Sequence, residues 1–581
     1  MFCNKHILIF FNLIMKKNVL LNLLFLGVFA TSVNAYSAPV DYVSAAKKAS
    51  EVLGGKEVVS SDGGSYAKVR GNDVVSSPLY YAFNAKDGEG FVLVCGDDDE
   101  SSVLGYSNNG TFNADSLPAG LSDFLKAYVN RSDENGVRKS VARKAFSYAP
   151  VDSLCTTLWH QTYPYNYYAP MVGKEVCVVG CVATAMSQIM KYWEWPAQGR
   201  GEVSYASSGV GVMSRDFSES YYNWSVMTNK SGRRVSDASR DAMSRLCIDA
   251  GYSVKMQYGT SSTGGSGAFS FNALTAFVRN FSYDGSSIKI IWRDCFSDDD
   301  EWLDVLYKEF TARRPVYYSG NNSDGTGGHA FIIDGMDKNG LLHVNWGWGG
   351  SCNGYYDLTL APSGDDFSYD NAAIIGIAPD YNGTKSKAPQ IGVKMNAPSC
   401  SGVVPLGSYF QFTLSKVINA SSLARTITFA PGLYDENGNF ITILDNDCTP
   451  RSFHGFTGVT SGTFDVEAEK VLNCVFPADC KDGKYGIRCL QKEDGYDEWV
   501  LPNVVGGGSL NWIPVVVRNG KAELNSPDGP TSVTSIDDEE VISRDYFTLS
   551  GVKVSAPKSG DIFIERSTYS DGSVKTRKVV K

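Results

Sequence analysis

Residues 326–350 read TGGHAFIIDGMDKNGLLHVNWGWGG. His329 opens an apolar run, Ala330 to Ile333, and a turn-rich stretch from Gly335 to Gly340 leads into a second run, Leu341 to Trp346. Two apolar runs around a turn predict an antiparallel hairpin, with Asn339-Gly340 as a favoured turn pair. Such a hairpin brings the start of one strand near the end of the next. His329 and Asn345 are 16 residues apart on either side of the turn, so they are expected within a couple of pairs. On this reading Asn345 accepts the imidazole N–H and fixes the ring, and Trp346 covers that bond from water. The glycine-rich approach, Gly325 to Gly328, leaves room for a substrate beside His329. His343 is the competing base. It shares strand parity with Asn345, and its plainer reading is a locally satisfied hydrogen bond.

A histidine base needs a nucleophile. Residues 178–196 read VVGCVATAMSQIMKYWEWP. After Gly180 and Cys181, Val182, Met186, Ile189 and Trp193 recur at helical spacing. Cys181 therefore belongs at a helix N-terminus, where the macrodipole and unpaired N–H groups favour a thiolate. The alternative is a small buried core residue. Upstream, TTLWHQTYPYNYYAP holds His160 and Gln161. Gln161 has a side-chain N–H to offer an oxyanion beside the Cys181 backbone N–H. From its residues alone the plainer reading, a turn or surface glutamine, is favoured. Cys, His and an orienting amide are the parts that thiol catalysis requires. No zinc spacing occurs, and the Cys177/Cys181 pair lacks partnering ligands; a gating disulfide is its other reading.

The chain around these segments has 581 residues, 43% hydrophobic, with 53 basic and 63 acidic side chains. That is a globular composition of roughly four units at about 150 residues each. A net charge of −10 with no long basic run argues against a nucleic-acid partner. Residues 1–35 read as a secretory signal peptide: Lys16 and Lys17, an apolar run from Val19 to Ala30, and small residues before Tyr36. Met15 is an alternative start. A membrane anchor is the rival reading, opposed by Asn22 and the shortness of the run. No later stretch is apolar enough to span a bilayer. Export implies an oxidising space that permits disulfides, and Cys474, Cys480 and Cys489 lie close together, but the sequence does not give pairings. Residues 36–145 form a first unit, with strands at Tyr80 to Phe83 and Phe91 to Cys95 and a helix at Leu121 to Val129. It ends in a basic linker with Arg138-Lys139 and Arg143-Lys144. Residues 146–380 read as α+β. Residues 386–525 read as an all-β sandwich. A polar linker then leads to a short β unit at 542–581.

Taken together, GCVATAMSQIMKYW, GGHAFIIDG and HVNWGWGG resemble the catalytic blocks of the streptopain-type cysteine peptidases, which have a papain-like fold. WHQTYPYN is similar to their oxyanion-glutamine block. The resemblance covers residues 36 to 380. It implies Cys181 as nucleophile, His329 as base, Gln161 as oxyanion donor, Asn345 as orienting residue and Trp346 as shielding aromatic. It also implies that 36–145 is an inhibitory propeptide, that NAAIIGIAP is the last strand of the catalytic domain, and that no cofactor or metal takes part. The tail YFTLSGVKVSAPKSGDIFI is similar to C-terminal sorting modules of Bacteroidetes proteins exported by the type IX system. The expected protein is a secreted or surface-held endopeptidase made as a zymogen, with the periplasm also open. Its expected partners are protein or peptide substrates, its own propeptide and a bacterial export machinery. The rival readings are an exported thiol amidase acting on cell-wall peptides, and a surface adhesin led by the β region.

Overall fold

The computed structural model describes residues 40–61, 67–70, 73–96, 103–130, 149–232, 234–285, 287–321, 328–360, 369–383, 393–418, 425–446, 450–453, 466–495, 499–530 and four strands within 541–580. The signal segment, the basic linker and Gly325 lie outside the described residues.

The N-terminal unit begins with helix α1 (Tyr42–Val52), capped by the Asp41 carboxylate, which accepts from the Val43 and Ser44 N–H groups. Strands β1 (Val58–Ser60), β2 (Tyr80–Ala85), β3 (Phe91–Cys95) and β4 (Val103–Ser107) follow, then helix α2 (Ala119–Asn130). Leu121, Phe124, Leu125 and Tyr128 face inward on α2, as their helical spacing predicts. The next unit supplies helices α3 (Cys181–Trp193), α4 (Asp237–Ser253) and α5 (Asn272–Arg279), strand β5 (Lys289–Trp292) and helix α6 (Asp299–Thr311). Strands β6 (Val316–Asn321), β7 (Gly328–Met336), β8 (Leu342–Asn345), β9 (Gly354–Tyr356) and β10 (Tyr369–Ile375) follow. Helices early and strands late give the α+β arrangement expected.

These ten strands of the two units form one sheet, in the order β1-β2-β3-β4-β9-β8-β7-β6-β10-β5, with three two-stranded ribbons outside it among the described residues. The seam is β4 against β9, with Tyr106 opposite Tyr355 and Gly105 opposite Tyr356. Gly105 is required there, because a Cβ would sit 2.3 Å from the Tyr356 ring. Side-chain bonds reinforce the seam: Tyr106 Oη donates to Asp337 Oδ2 at 3.2 Å, and Ser107 Oγ donates to the Asn353 carbonyl at 2.7 Å.

Both faces of this sheet are covered, which is why β7 reads as a continuous apolar run rather than an alternating one. Ala330 and Ile332 face a core with α3, α4 and α5, including Met186, Ile189, Leu246 and Phe277. Phe331 and Ile333 face the opposite core, which Phe124 of α2 shares with Trp302 and Phe310 of α6. Removing such fully buried aromatics from water contributes about 1.5–3 kcal/mol each.

Beyond residue 393 a five-stranded and a seven-stranded sheet enclose a third core, with Phe412 and Leu472 from one and Phe429, Ile487 and Val515 from the other. This is the expected sandwich. It touches the α+β unit where Lys394 Nζ meets Asp294 Oδ2 at 2.6 Å and the Gly506 N–H donates to the Asp294 carbonyl at 2.6 Å. The last four strands, Val541–Phe547, Lys553–Val554, Ile562–Tyr569 and Val574–Val580, make a separate antiparallel sheet. No disulfide joins Cys177 to Cys181. No helix among the described residues is long and apolar enough to cross a membrane.

Candidate active site

Cys181 is the first residue of α3, and Gly180 is its N-cap with φ +89°. A side chain at Gly180 is strained by the positive φ and crowded by the end of the Met256 side chain at 2.7 Å and the Ser266 carbonyl at 3.1 Å. The cap delivers Cys181 half-buried at the helix N-terminus, while Val182 to Lys191 are buried behind it. His329, the second residue of β7, lies against this helix end and is itself buried. Burial opposes the charged form of each group. For Cys181, the hydrogen bond and charge of His329 and the Ala330 and Val182 backbone N–H groups outweigh it, and the thiol pKa falls below its ordinary value. For His329, the same pairing with Cys181, aided by the Trp346 carbonyl and the Asp123 charge, raises the imidazole pKa. The pair favours thiolate and imidazolium together.

The ring orientation differs from expectation. His329 Nε2 lies 3.1 Å from the Trp346 carbonyl. A carbonyl only accepts, so Nε2 carries the proton and Nδ1 is the nitrogen left for the thiol. Asn345 makes no part of this bond. Its Nδ2 donates to the Thr157 carbonyl at 2.7 Å and to Gln188 Oε1 at 3.1 Å, and its Oδ1 accepts from the Gly347 N–H at 3.1 Å. The reason is register. Asn345 pairs with Ile332, three residues beyond His329. An odd offset along a strand puts two side chains on opposite faces. The imidazole lies over Phe331 on the α2 face, and the amide lies on the α3 face against Gln188.

Trp346 is fully buried between Phe331 and Tyr356, with ring centroids 4.8 and 5.3 Å away, and its indole N–H donates to the Cys352 carbonyl at 3.1 Å. Gln161 is half-buried, and its carbonyl accepts the Val179 N–H at 2.9 Å, which holds it beside the segment entering Cys181. His160 faces Trp348 edge-on, its Nδ1 accepts the Thr162 N–H at 3.1 Å, and burial lowers its pKa. His343 Nδ1 sits 2.6 Å from Asp334 Oδ1, the local bond anticipated for it. The structure thus gathers Cys181, His329 and Trp346, sets Gln161 alongside, and keeps the Asn345 amide off the imidazole.

Two contributors were not read from sequence. Gln188 Oε1 accepts from both the Trp159 N–H and Asn345, tying α3 to β8; a polar residue on the buried side of an apolar helix was the available signal. Gly120 of α2 rests directly on the site, since a Cβ there would lie 2.5 Å from His329 Cδ2 and 2.7 Å from the Trp346 ring. Nothing in the local sequence marks that contact. Among the described residues no cluster of three or more His, Cys, Asp or Glu is arranged to hold a metal.

A thiol at a helix N-terminus, paired with an imidazole that is held by its other nitrogen, defines a thiol hydrolase site. Residues 159–356 match the model of the Peptidase C10 family, and residues 32–132 match that of the Spi protease inhibitor. Streptopain of Streptococcus pyogenes is 34% identical over 342 residues, which cover 54% of this chain and 84% of the relative. The thiol protease/hemagglutinin PrtT of Porphyromonas gingivalis is 30% identical over 479 residues, 78% of this chain; the chain spans about half of PrtT, 52% of its length. Among solved structures, a fragment of Prevotella intermedia prointerpain A is 29% identical, with a TM-score of 0.47, covering 54% of this chain and all of the fragment. The chain belongs to the peptidase C10 family of streptopain-type cysteine peptidases and carries an inhibitor-like N-terminal unit.

Proposed function

We propose that the chain is an exported cysteine endopeptidase made as a zymogen, with Cys181 and His329 as its reacting groups. The coupled thiol and imidazole at the N-terminus of α3 is the observation that carries this reading. The Cys181 thiolate attacks the scissile carbonyl. The Gln161 amide and the Cys181 N–H receive the oxyanion, at about 3 kcal/mol per donor. Protonated His329 gives its proton to the leaving amine, and the acyl group stays on sulfur as a thioester. His329 then takes a proton from water, whose oxygen attacks the thioester and regenerates the thiol. Asn345 acts at one remove, by fixing α3 to β8 through Gln188, and Trp346 holds the imidazole through its carbonyl.

Latency follows from the N-terminal unit. Helix α2 sits on His329 and Trp346, and β4 covers the edge of β9. Residues 1–35 are assigned to export, 36–145 to the propeptide, 146–380 to the peptidase, 386–525 to the sandwich and 542–581 to a sorting module. The location is extracellular, in solution or on the cell surface, reached through a bacterial export machinery. A binding role for the sandwich is supported by the match to PrtT, whose name includes hemagglutinin and whose aligned length exceeds that of streptopain.

The test is thiol labelling. Iodoacetamide added to the activated protein is expected to modify Cys181 ahead of the other cysteines and to remove activity in proportion. Full activity with Cys181 carboxamidomethylated contradicts the assignment. Cleavage of cell-wall peptides without cleavage of casein transfers the reading to an amidase.

A further inference from the structure

Between Gln161 and Cys181 the chain makes a closed excursion, residues 162–178. Its base is shut by the 2.9 Å bond from the Val179 N–H to the Gln161 carbonyl. Its interior is tied as well: Asn166 Nδ2 donates to the Cys177 carbonyl at 2.9 Å, and the Cys177 N–H donates to the Pro170 carbonyl at 2.9 Å. Tyr165 is buried against Trp159, with centroids 5.4 Å apart. The outer surface of this braced loop carries five exposed apolar side chains beside the exposed Lys174 and Glu175. Tyr163, Tyr167, Tyr168, Met171 and Val176 are 52%, 46%, 38%, 56% and 42% exposed. Arg240 and Arg245 lie over the Tyr167 and Tyr168 rings at 3.9 and 4.6 Å, so these two tyrosines are held before anything binds them.

Single exposed apolar residues need no explanation, but a cluster on one braced loop marks an interaction surface. Tyrosines with little freedom left supply contact area at low entropic cost. The position of the loop names the occupant. The loop leaves from Gln161 and returns to Cys181, and the Val179–Gln161 bond ties its two ends together beside the catalytic cysteine. The N-terminal unit leaves these side chains exposed in the full chain.

We propose that loop 162–178 is a second contact for protein substrates, binding an apolar, aromatic-containing segment that flanks the scissile bond. The proposal rests on the peptidase reading above. A substrate of three or four residues ends before it reaches the loop, whereas a protein substrate spans both sites.

The test compares two substrates. The Tyr163→Ser/Met171→Ser variant of the full chain, activated, is assayed on casein and on a short fluorogenic peptide. The expected result is a fall of about tenfold in the casein-to-peptide ratio of kcat/KM, carried by KM, which is about 1.4 kcal/mol of binding. A second variant, Val176→Ser, is expected to move the ratio the same way. An unchanged ratio overturns the proposal, whether both activities persist or both fall together, because equal losses mean that the loop only supports the oxyanion site. A wild type inactive on both substrates would instead refute the peptidase reading.

Discussion

Cys181 and His329 are pushed in opposite directions by one contact. Each is buried enough to resist charging, and each is charged by the other. The signs set a pH window. The lowered thiol pKa means that the ion pair is lost as pH falls through that value. The raised imidazole pKa means that it is lost as pH rises through that one. A bell-shaped kcat/KM is therefore expected for the activated enzyme, with an acid limb below the ordinary thiol range and an alkaline limb above that of a free imidazole; the two values belong to the pair. His329→Gln is expected to return the alkylation rate of Cys181 to the pH dependence of an ordinary thiol. An unchanged profile would show that His329 does not ionise the sulfur. Asn345→Ala strands the Thr157 carbonyl and the Gly347 N–H inside the fold, at about 1–3 kcal/mol per unsatisfied group, and takes from Gln188 Oε1 one of its two donors while the Trp159 N–H remains. It is expected to lower Tm and activity together, and activity lost at unchanged Tm would argue for direct contact with the imidazole. The sequence announced Asn345 by its place in the hairpin. It did not announce its partners, because a one-residue difference in register changes the face on which the amide lies.

At the scale of elements, hairpin β7–β8 and helix α3 were legible because apolar periodicity and turn chemistry are local. Asp337 shows how the turn is set: its Oδ1 accepts the Asn339 and Leu341 N–H groups, both at 2.8 Å. The docking of α2 was not legible, since a glycine in a helix does not say what it touches. Gly120→Ala tests that docking. The added methyl group meets His329 and Trp346, so inhibition by the N-terminal unit is expected to weaken at least tenfold, measured as the inhibition constant of isolated residues 36–145 added to mature enzyme. Equal inhibition by both forms would place the blocking contact elsewhere. On α6, the Glu309 carboxylate accepts Arg314 Nε and Nη2 and the Gly376 N–H, all at 2.8 Å, pinning the helix end to the end of β10. Glu309→Ala takes the carboxylate from the Arg314 guanidinium and the Gly376 N–H and is expected to cost about 3–5 kcal/mol by chemical denaturation. A loss below about 1 kcal/mol would mean that solvent replaces the carboxylate.

For the whole molecule, the all-β character of residues 386–525 followed from strand length and turn spacing. That the first two units share one sheet did not, because edge-to-edge pairing of β4 and β9 rests on backbone groups common to every residue. The sandwich is joined to the α+β unit through Lys394 and Asp294. Ending the chain at residue 380 is expected to leave peptide cleavage within about twofold and to lower Tm by a few degrees, the effect of about 1 kcal/mol. Loss of peptide cleavage would make the sandwich part of the catalytic machinery. The central claim is a latent peptidase that frees itself through Cys181. Residues 36–581 are incubated with casein under reducing conditions beside the Cys181→Ala protein, and both are followed by gel and intact mass. The account predicts casein cleavage and loss of about 110 N-terminal residues, a small domain's length, in wild type alone. Cleavage or self-processing by Cys181→Ala would contradict it.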